Sequence, residues 1–194
     1  MTPRMSFQAA LQVIAELRRD EIVVTTMGSA REWPKLSSSP LDFHYLPSAM
    51  GHAPALALGM ALAQPQREVI ALCGDGGMLM GLSALVTIIA AKVNNLTVVV
   101  FDNGIYEVTG GQTTAGGAID VDFTGIARAS GFARAAKFAD LATWQSAAAE
   151  SLRGPGPRFI CLAVEPVGAA YHLPPAIAMP AQIAKFRQAL GIGA

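Results

Sequence analysis

Two side chains have the type and setting to hold a charged ligand. Asp75 sits in Gly74-Asp75-Gly76-Gly77, directly after the β-branched run Val69 to Cys73. Strand, glycines and a helix start together make a cradle in which backbone N–H groups can approach a phosphate. A carboxylate inside such a cradle would repel a bare diphosphate. A divalent cation bridging Asp75 and phosphate oxygens removes the conflict. Asn103 closes the next apolar run, Leu96 to Asp102, with 26 residues between it and Gly76. That interval holds one helix and one strand, so the two strand ends can be neighbours in a parallel sheet. The Asp75 carboxylate, the Asn103 amide oxygen and loop carbonyls are hard ligands suited to Mg²⁺. The plainer alternative stays open at both places: Gly-Asp-Gly and Asn-Gly also make ordinary turns.

The elements that must position these residues alternate. Helical spacing runs from Phe7 to Leu17, and Ile22 to Thr26 reads as a strand. A Ser/Pro/Gly-rich loop, Gly28 to Ser48, follows. Met50 to Ala63 reads as a helix with Pro54 in its first turn. After Val69–Cys73 the GDGG segment reads as a tight turn, and Met78 to Val93 as one helix. Beyond strand 96–102 comes a Gly-rich loop, Asn103 to Gly117. A helix is predicted over 122–130 with Gly131 as its stop, then a strand over 132–136 and a helix from the N-cap Asp140 to Arg153. Arg158 to Val164 is a strand, and the tail from about 165 is irregular until a short helix near 182–190, with Pro166, Pro174, Pro175 and Pro180 along it. Near-continuously apolar strands alternating with helices indicate one three-layer α/β/α domain over 1–194 with a mainly parallel sheet. Ligands in such sheets bind beyond the carboxyl ends of the strands.

Composition narrows the function. Apolar residues make up 52% and charged residues 14% of 194. That excludes low-complexity disorder and suggests faces covered by other subunits. Lys+Arg and Asp+Glu balance at 14 each, without the basic stripe of a nucleic-acid binder. The most apolar stretch is broken by Lys92, Asn94 and Asn95, so a membrane span is not expected. The first residues lack a signal-peptide pattern. Cys73 and Cys161 read as buried thiols in a reducing cytoplasm, and there is no CxxC, HExxH or Cys/His cluster for zinc.

The ordered motifs resemble those of thiamine-diphosphate (ThDP) enzymes: GDG, then about 26 residues, then Asn at a strand end. Those enzymes usually carry two asparagines where this chain has Asp102-Asn103. The resemblance implies a ThDP-binding fold, with Mg²⁺ held by the Asp75 carboxylate, the Asn103 side chain and the Ile105 carbonyl. It implies that Gly74, Asp75, Gly76 and Gly77 form the diphosphate cradle, with the N–H groups of Gly76 and Gly77 on the diphosphate. Leu46 to Leu62 resembles the segment that supports the bent cofactor. Met50 matches the wedge, the Ser48 carbonyl would accept from the 4′-amino group, and the Met50 N–H would donate to the pyrimidine. A core methionine is the plainer reading of Met50 alone. Gly28 and Ser29 match the loop brought to the diphosphate end, and Tyr106 the residue after the metal loop.

SAMGHA, GDGGMLMGLSAL and DNGIYEVTGGQTT are most similar to sulfopyruvate and phosphonopyruvate decarboxylases. This implies decarboxylation of an acidic-tailed 2-oxo acid to an aldehyde and CO₂. Carboligation as in acetolactate-type synthases, and a non-catalytic ThDP-binding subunit, are the alternatives. His52 and Thr109 are the candidate catalytic residues; a structural role for His52 is equally open. Tyr106 and Glu107 could also face substrate, and Arg31 and Lys35 could reach an acidic tail, although lone charges on a loop are usually just solvated. A ThDP site normally lies between two α/β domains, and none of the seven glutamates here resembles the activating one. The chain is therefore expected to be a β-type subunit of a hetero-oligomer. Its partner would be a pyrimidine-binding α-type subunit of similar size that carries the activating Glu.

Overall fold

The computed structural model describes residues 4–168 and 178–192. In chain order the elements are α1 (Phe7–Leu17), β1 (Ile22–Thr25), α2 (Met27–Glu32), β2 (Asp42–His44), α3 (Ala53–Ala63), β3 (Val69–Gly74), α4 (Asp75–Met80) and α5 (Ser83–Ala90). Then follow β4 (Leu96–Asp102), β5 (Ile105–Tyr106), β6 (Gln112–Thr113), α6 (Ala115–Ile119), α7 (Phe123–Ala129), β7 (Arg134–Phe138), α8 (Leu141–Ser151), β8 (Arg158–Ala163) and α9 (Met179–Ala189).

Six strands form one parallel sheet in the order β2-β1-β3-β4-β8-β7. Period-2 alternation divides the core between its faces. Ile22, Val24, Ala71, Cys73, Val98, Val100 and Cys161 point to a layer containing α3, α5, α7 and Phe186 of α9. Val23, Ile70, Leu72, Val99, Phe101, Ile160 and Leu162 point to a layer containing α1 and α8. Trp144 locks the second layer by donating its indole N–H to the Ala10 carbonyl at 3.1 Å. The three-layer α/β/α arrangement expected from the sequence is thus present.

Several local expectations differ. The 28–48 loop contains α2, a 3-10 turn at Trp33–Lys35 and the short edge strand β2. None is long enough to show an apolar period. Gly74–Gly77 is not a free-standing turn, because α4 begins at Asp75 itself. The single helix expected over 78–93 is two helices broken at Gly81-Leu82. The helix expected from Met50 starts at Ala53, with Pro54 in its first turn as anticipated. The strand expected over 132–136 lies at Arg134–Phe138. The Gly-rich loop holds a β5/β6 hairpin and α6. Asp140 caps α8 by accepting from the Thr143 N–H at 2.9 Å. Pro174 and Pro175 lie outside the described residues, and Pro180 falls in the first turn of α9.

The break at Gly81 has a steric cause. A Cβ on Gly81 would stand 2.1 Å from the Gly51 carbonyl oxygen and 2.9 Å from its carbon. Both are backbone atoms and cannot rotate away. Gly51 itself has φ +85, which favours glycine. This contact of two backbones fixes the turn carrying Met50 against the end of α4. Gly81→Ala should therefore cost about 3 kcal/mol, a Tm loss of roughly 10 °C for a chain of this length. Gly59→Ala meets nothing within 4 Å and should raise stability by about 0.5–1 kcal/mol. Parallel thermal melts check the pair, and equal Tm values for the two variants would contradict the account.

Candidate functional site

Strand order reverses between β1 and β3, since the chain leaves β1 toward β2 and leaves β3 toward β4. A crevice opens at such a reversal, beyond the carboxyl ends of the strands. The cleft here, of about 230 Å³, is lined by residues following β1, β3 and β4, with Met50 and Met80 also on its wall. The register pairs Gly74 with Phe101, which brings Asp75 and Asp102 side by side at adjacent strand ends.

Asp75 is the electrostatic centre. It is 1% exposed. Burial pushes its carboxyl up to about 6, with Asp102 adding to the rise, while the Thr114 hydroxyl and the Gly76 backbone N–H act the other way. Thr114, fully buried, donates to Asp75 Oδ2 at 2.9 Å. The Thr114 oxygen also accepts the Gly117 N–H at 2.9 Å, and its backbone N–H donates to the Gly104 carbonyl at 2.9 Å. One threonine thus joins the Asp75 arm to the Asn103 loop. Asp102 is likewise raised by burial, against the lowering influence of Arg4. Arg4 donates to the Asp102 carbonyl at 2.8 Å from outside the cleft wall.

Asn103 is half-buried at the cleft. Its Oδ1 accepts the Ile105 N–H at 3.0 Å, and its Nδ2 donates to Glu107 at 2.9 Å. Tyr106 lies so close over Gly76 that a Cβ there would stand 2.5 Å from the ring. Gly74, Gly76, Gly77, Gly28, Ser29, Met50, Ile105, Tyr106 and Thr109 all line the cleft. Ser29 is buried, with Oγ 2.8 Å from the Thr26 and Leu72 carbonyls, so its hydroxyl ties α2 to β3. Ser48 lies on the turn before Met50, where its Oγ accepts from Thr26 at 3.4 Å. Met50 is 50% exposed, which sets aside the core-methionine reading.

His52 stands at the N-cap of α3, exposed, with Nδ1 3.1 Å from the Met50 carbonyl, and is not among the residues lining the cleft. Thr109 lines the cleft mouth and bonds Gln112 at 3.1 Å. Arg31 and Lys35 pair with Glu32 at 2.7 and 2.8 Å. The Cys73 thiol, at the cleft floor, is pushed up to about 12 by burial and is held protonated. The residues that sequence reading missed are Thr114 and the backbone pair Gly51/Gly81. A threonine inside a Gly/Thr-rich loop carries no signal of a partner 39 positions away.

The residues present suit a cation between anionic oxygens. A buried carboxylate pushed toward its neutral form gains most from a divalent ion, and the other candidate donors are neutral oxygens. No cluster of three His, Cys, Asp or Glu able to hold a metal occurs among the described residues. A site built on Asp75, Asn103 and the Ile105 carbonyl would use a single carboxylate, with phosphate oxygens and water as the remaining hard ligands. The glycine-lined wall at Gly74 and Gly77 meets no Cβ-blocking atom nearer than 3.9 Å.

Comparison with known proteins decides the family. The thiamine pyrophosphate enzyme C-terminal TPP binding domain matches residues 24–162. The chain belongs to the thiamine pyrophosphate enzyme family. Its TPP-binding domain contains the whole of the cleft floor described above. The chain is 39% identical over 160 residues to phosphonopyruvate decarboxylase of Streptomyces viridochromogenes, covering 81% of this chain and 39% of that protein. It is 37% identical over 158 residues to sulfopyruvate decarboxylase subunit beta of Methanothermobacter thermautotrophicus, covering 81% of this chain and 80% of that subunit. A protein from Mycobacterium smegmatis assigned to the thiamin diphosphate-dependent enzymes superposes with a TM-score of 0.70 at 23% identity, over 84% of this chain and 32% of that one. That likeness shows the fold.

Proposed function

We propose that this chain is the diphosphate-binding β-type subunit of a ThDP- and Mg²⁺-dependent 2-oxo acid decarboxylase, acting on an acidic-tailed substrate such as sulfopyruvate or phosphonopyruvate. The observation that carries the reading is the buried Asp75 carboxylate beside Asn103, in a cleft floored by the matching TPP-binding domain. Support for a split enzyme comes from extent. The match takes in most of a subunit named beta, but about two fifths of a phosphonopyruvate decarboxylase. The partner is a pyrimidine-binding α-type subunit of similar size that supplies the activating glutamate. Two free, buried cysteines fit a cytoplasmic setting. Among the described residues no helix is long and apolar enough to cross a membrane.

Bound ThDP supplies the electron sink that lets a 2-oxo acid lose CO₂. This chain's residues bind and orient it. Asp75, Asn103 Oδ1 and the Ile105 carbonyl would hold Mg²⁺. Gly76 and Gly77 offer backbone N–H groups to the diphosphate, and Gly28 and Tyr106 close its sides. The Ser48 carbonyl and the Met50 N–H would serve the aminopyrimidine, and the Met50 side chain on the cleft wall would support the cofactor. Thr109, which lines the cleft, is the better placed of the two candidate catalytic residues, and His52 lies outside the cleft lining.

Because Met50 is half exposed, Met50→Ala should leave Tm nearly unchanged while lowering kcat about 100-fold through misplacement of the cofactor. Steady-state kinetics with cofactor content measured in parallel check this; an unchanged kcat would remove Met50 from the site. The function itself is tested by assaying CO₂ release from sulfopyruvate, phosphonopyruvate and pyruvate with the assembly purified from the native host. Release dependent on ThDP and Mg²⁺ supports the proposal. Consumption of substrate into a longer keto product without an aldehyde would move the assignment to a carboligase.

A further inference from the structure

We propose that Glu107 is a positioning residue that fixes which end of the Asn103 side-chain amide faces the cation. The inference rests on the functional reading above and extends it to a residue that touches no proposed ligand of the metal except Asn103.

Glu107 opens the 3-10 turn Glu107–Thr109 and lines the cleft, and each of its carboxylate oxygens accepts a hydrogen bond. Oε2 accepts from Asn103 Nδ2 at 2.9 Å. Oε1 accepts from the Val167 backbone N–H at 2.6 Å, on the segment that follows β8. β8 is itself the hydrogen-bonded neighbour of β4, which ends at Asp102. One carboxylate thus ties the Asn103 loop to the adjacent strand's exit.

The chemistry of the amide gives this link its consequence. An asparagine side chain has one end that accepts and one that donates, and only the oxygen can ligate a hard cation. Here the NH₂ end faces a carboxylate, while Oδ1 faces the Ile105 N–H at 3.0 Å. The flipped amide would place oxygen against a carboxylate oxygen and NH₂ against N–H. Both contacts would be repulsive, so Glu107 and the Ile105 N–H together select the ligating orientation. Without Glu107, one of the two selecting contacts is gone. Partners that orient metal ligands in this way typically change metal affinity 10–100-fold when removed. Glutamine is not a neutral replacement. Its single oxygen can serve Asn103 or Val167, and its NH₂ must then face a donor at the other contact.

The experiment compares wild type, Glu107→Gln and Glu107→Ala in the native assembly. ThDP binding is titrated by calorimetry as a function of Mg²⁺. In parallel, the Asn103 side-chain NH₂ resonances of the ¹⁵N-labelled chain are recorded without cofactor. The expected result is a 10–100-fold higher Mg²⁺ requirement in both variants, recovered at high Mg²⁺. The two Asn103 amide protons should lose the shift and exchange protection they show in wild type. Unchanged Mg²⁺ dependence with wild-type amide signals overturns the inference, as does a fall in Tm alone. If wild type shows no Mg²⁺-linked ThDP binding, the functional reading fails separately. The amide signals then test the orientation alone: resonances insensitive to Glu107 substitution overturn it, and altered ones uphold Glu107 as the residue that orients the Asn103 amide, with no cation to receive it.

Discussion

Asp75→Asn should severely weaken Mg²⁺-linked cofactor binding and at the same time make the cofactor-free chain more stable at neutral pH. The carboxyl is raised by burial to about 6 in the folded chain, from 3.8. Between those values the unfolded chain has released this proton while the folded chain still holds it. The unfolded state therefore binds fewer protons, and stability falls as pH rises from about 4 to about 6. The stability lost across that window is about 3 kcal/mol at most, at 1.36 kcal/mol per pH unit. Asparagine removes the buried charge and keeps an oxygen to accept from Thr114. The variant should thus melt higher than wild type at pH 7.5, and the advantage should vanish near pH 4. Its turnover in the assembly should drop about a thousandfold, the equivalent of ~4 kcal/mol of lost metal stabilisation. Melting curves across pH 4–8 without metal, with turnover measured at saturating Mg²⁺, check both halves. A variant that melts lower at pH 7.5 and keeps its activity would contradict the role given to Asp75.

Gly76→Ala is the second large effect. The added methyl would lie 2.5 Å from Tyr106 Cε1, 2.6 Å from Cδ1 and 3.5 Å from Thr114 Cγ2. The ring must leave its place, and with it goes the wall between the glycine cradle and the Asn103 loop. Overpacking of this kind costs about 1–3 kcal/mol. ThDP affinity should fall tenfold or more, about 1.4 kcal/mol or greater. Removing the ring relieves the clash, so the Gly76→Ala/Tyr106→Ala pair should show a coupling energy of about 1–3 kcal/mol in a double-mutant cycle of stability. Additive effects would mean that ring and glycine are not in contact.

The same physics explains which parts of the fold were legible. Strands β1, β3, β4 and β8 are mainly apolar runs buried at all but one position, and their pairing follows from α/β alternation. Asp75 and Asn103 could be placed side by side because one helix-and-strand interval separates them. Glycine and oxygen-ligand chemistry then suggested the cation. What stayed hidden depends on long-range contact. β2 has three residues, and its neighbourhood is held by the Arg18–Asp42 ion pair at 3.1 Å, which no local pattern announces. Helix α9 reaches that strand through Gln182, whose side chain accepts the His44 N–H at 2.7 Å and donates to the His44 carbonyl at 2.9 Å. The split between α4 and α5 follows from the Gly51–Gly81 backbone contact, while the intervening sequence is as apolar as an unbroken helix. Arg31 and Lys35 show the same limit. The sequence offers them as solvated loop charges or as cations within reach of an acidic tail, and the ion pairs they form with buried Glu32 have no local signal.

Met50, Met80, Leu62 and Val86 are each at least half exposed, and the first two stand on the wall of the cleft. Exposed apolar side chains of this kind are what a face covered by a second subunit would show.

Native mass spectrometry of the tagged chain recovered from its own host tests the central claim most directly. The account predicts a complex of this chain with a second subunit of similar size, carrying thiamine diphosphate and Mg²⁺, and losing both when Asp75 is replaced by asparagine. A homo-oligomer of this chain alone, without cofactor or metal, would contradict it.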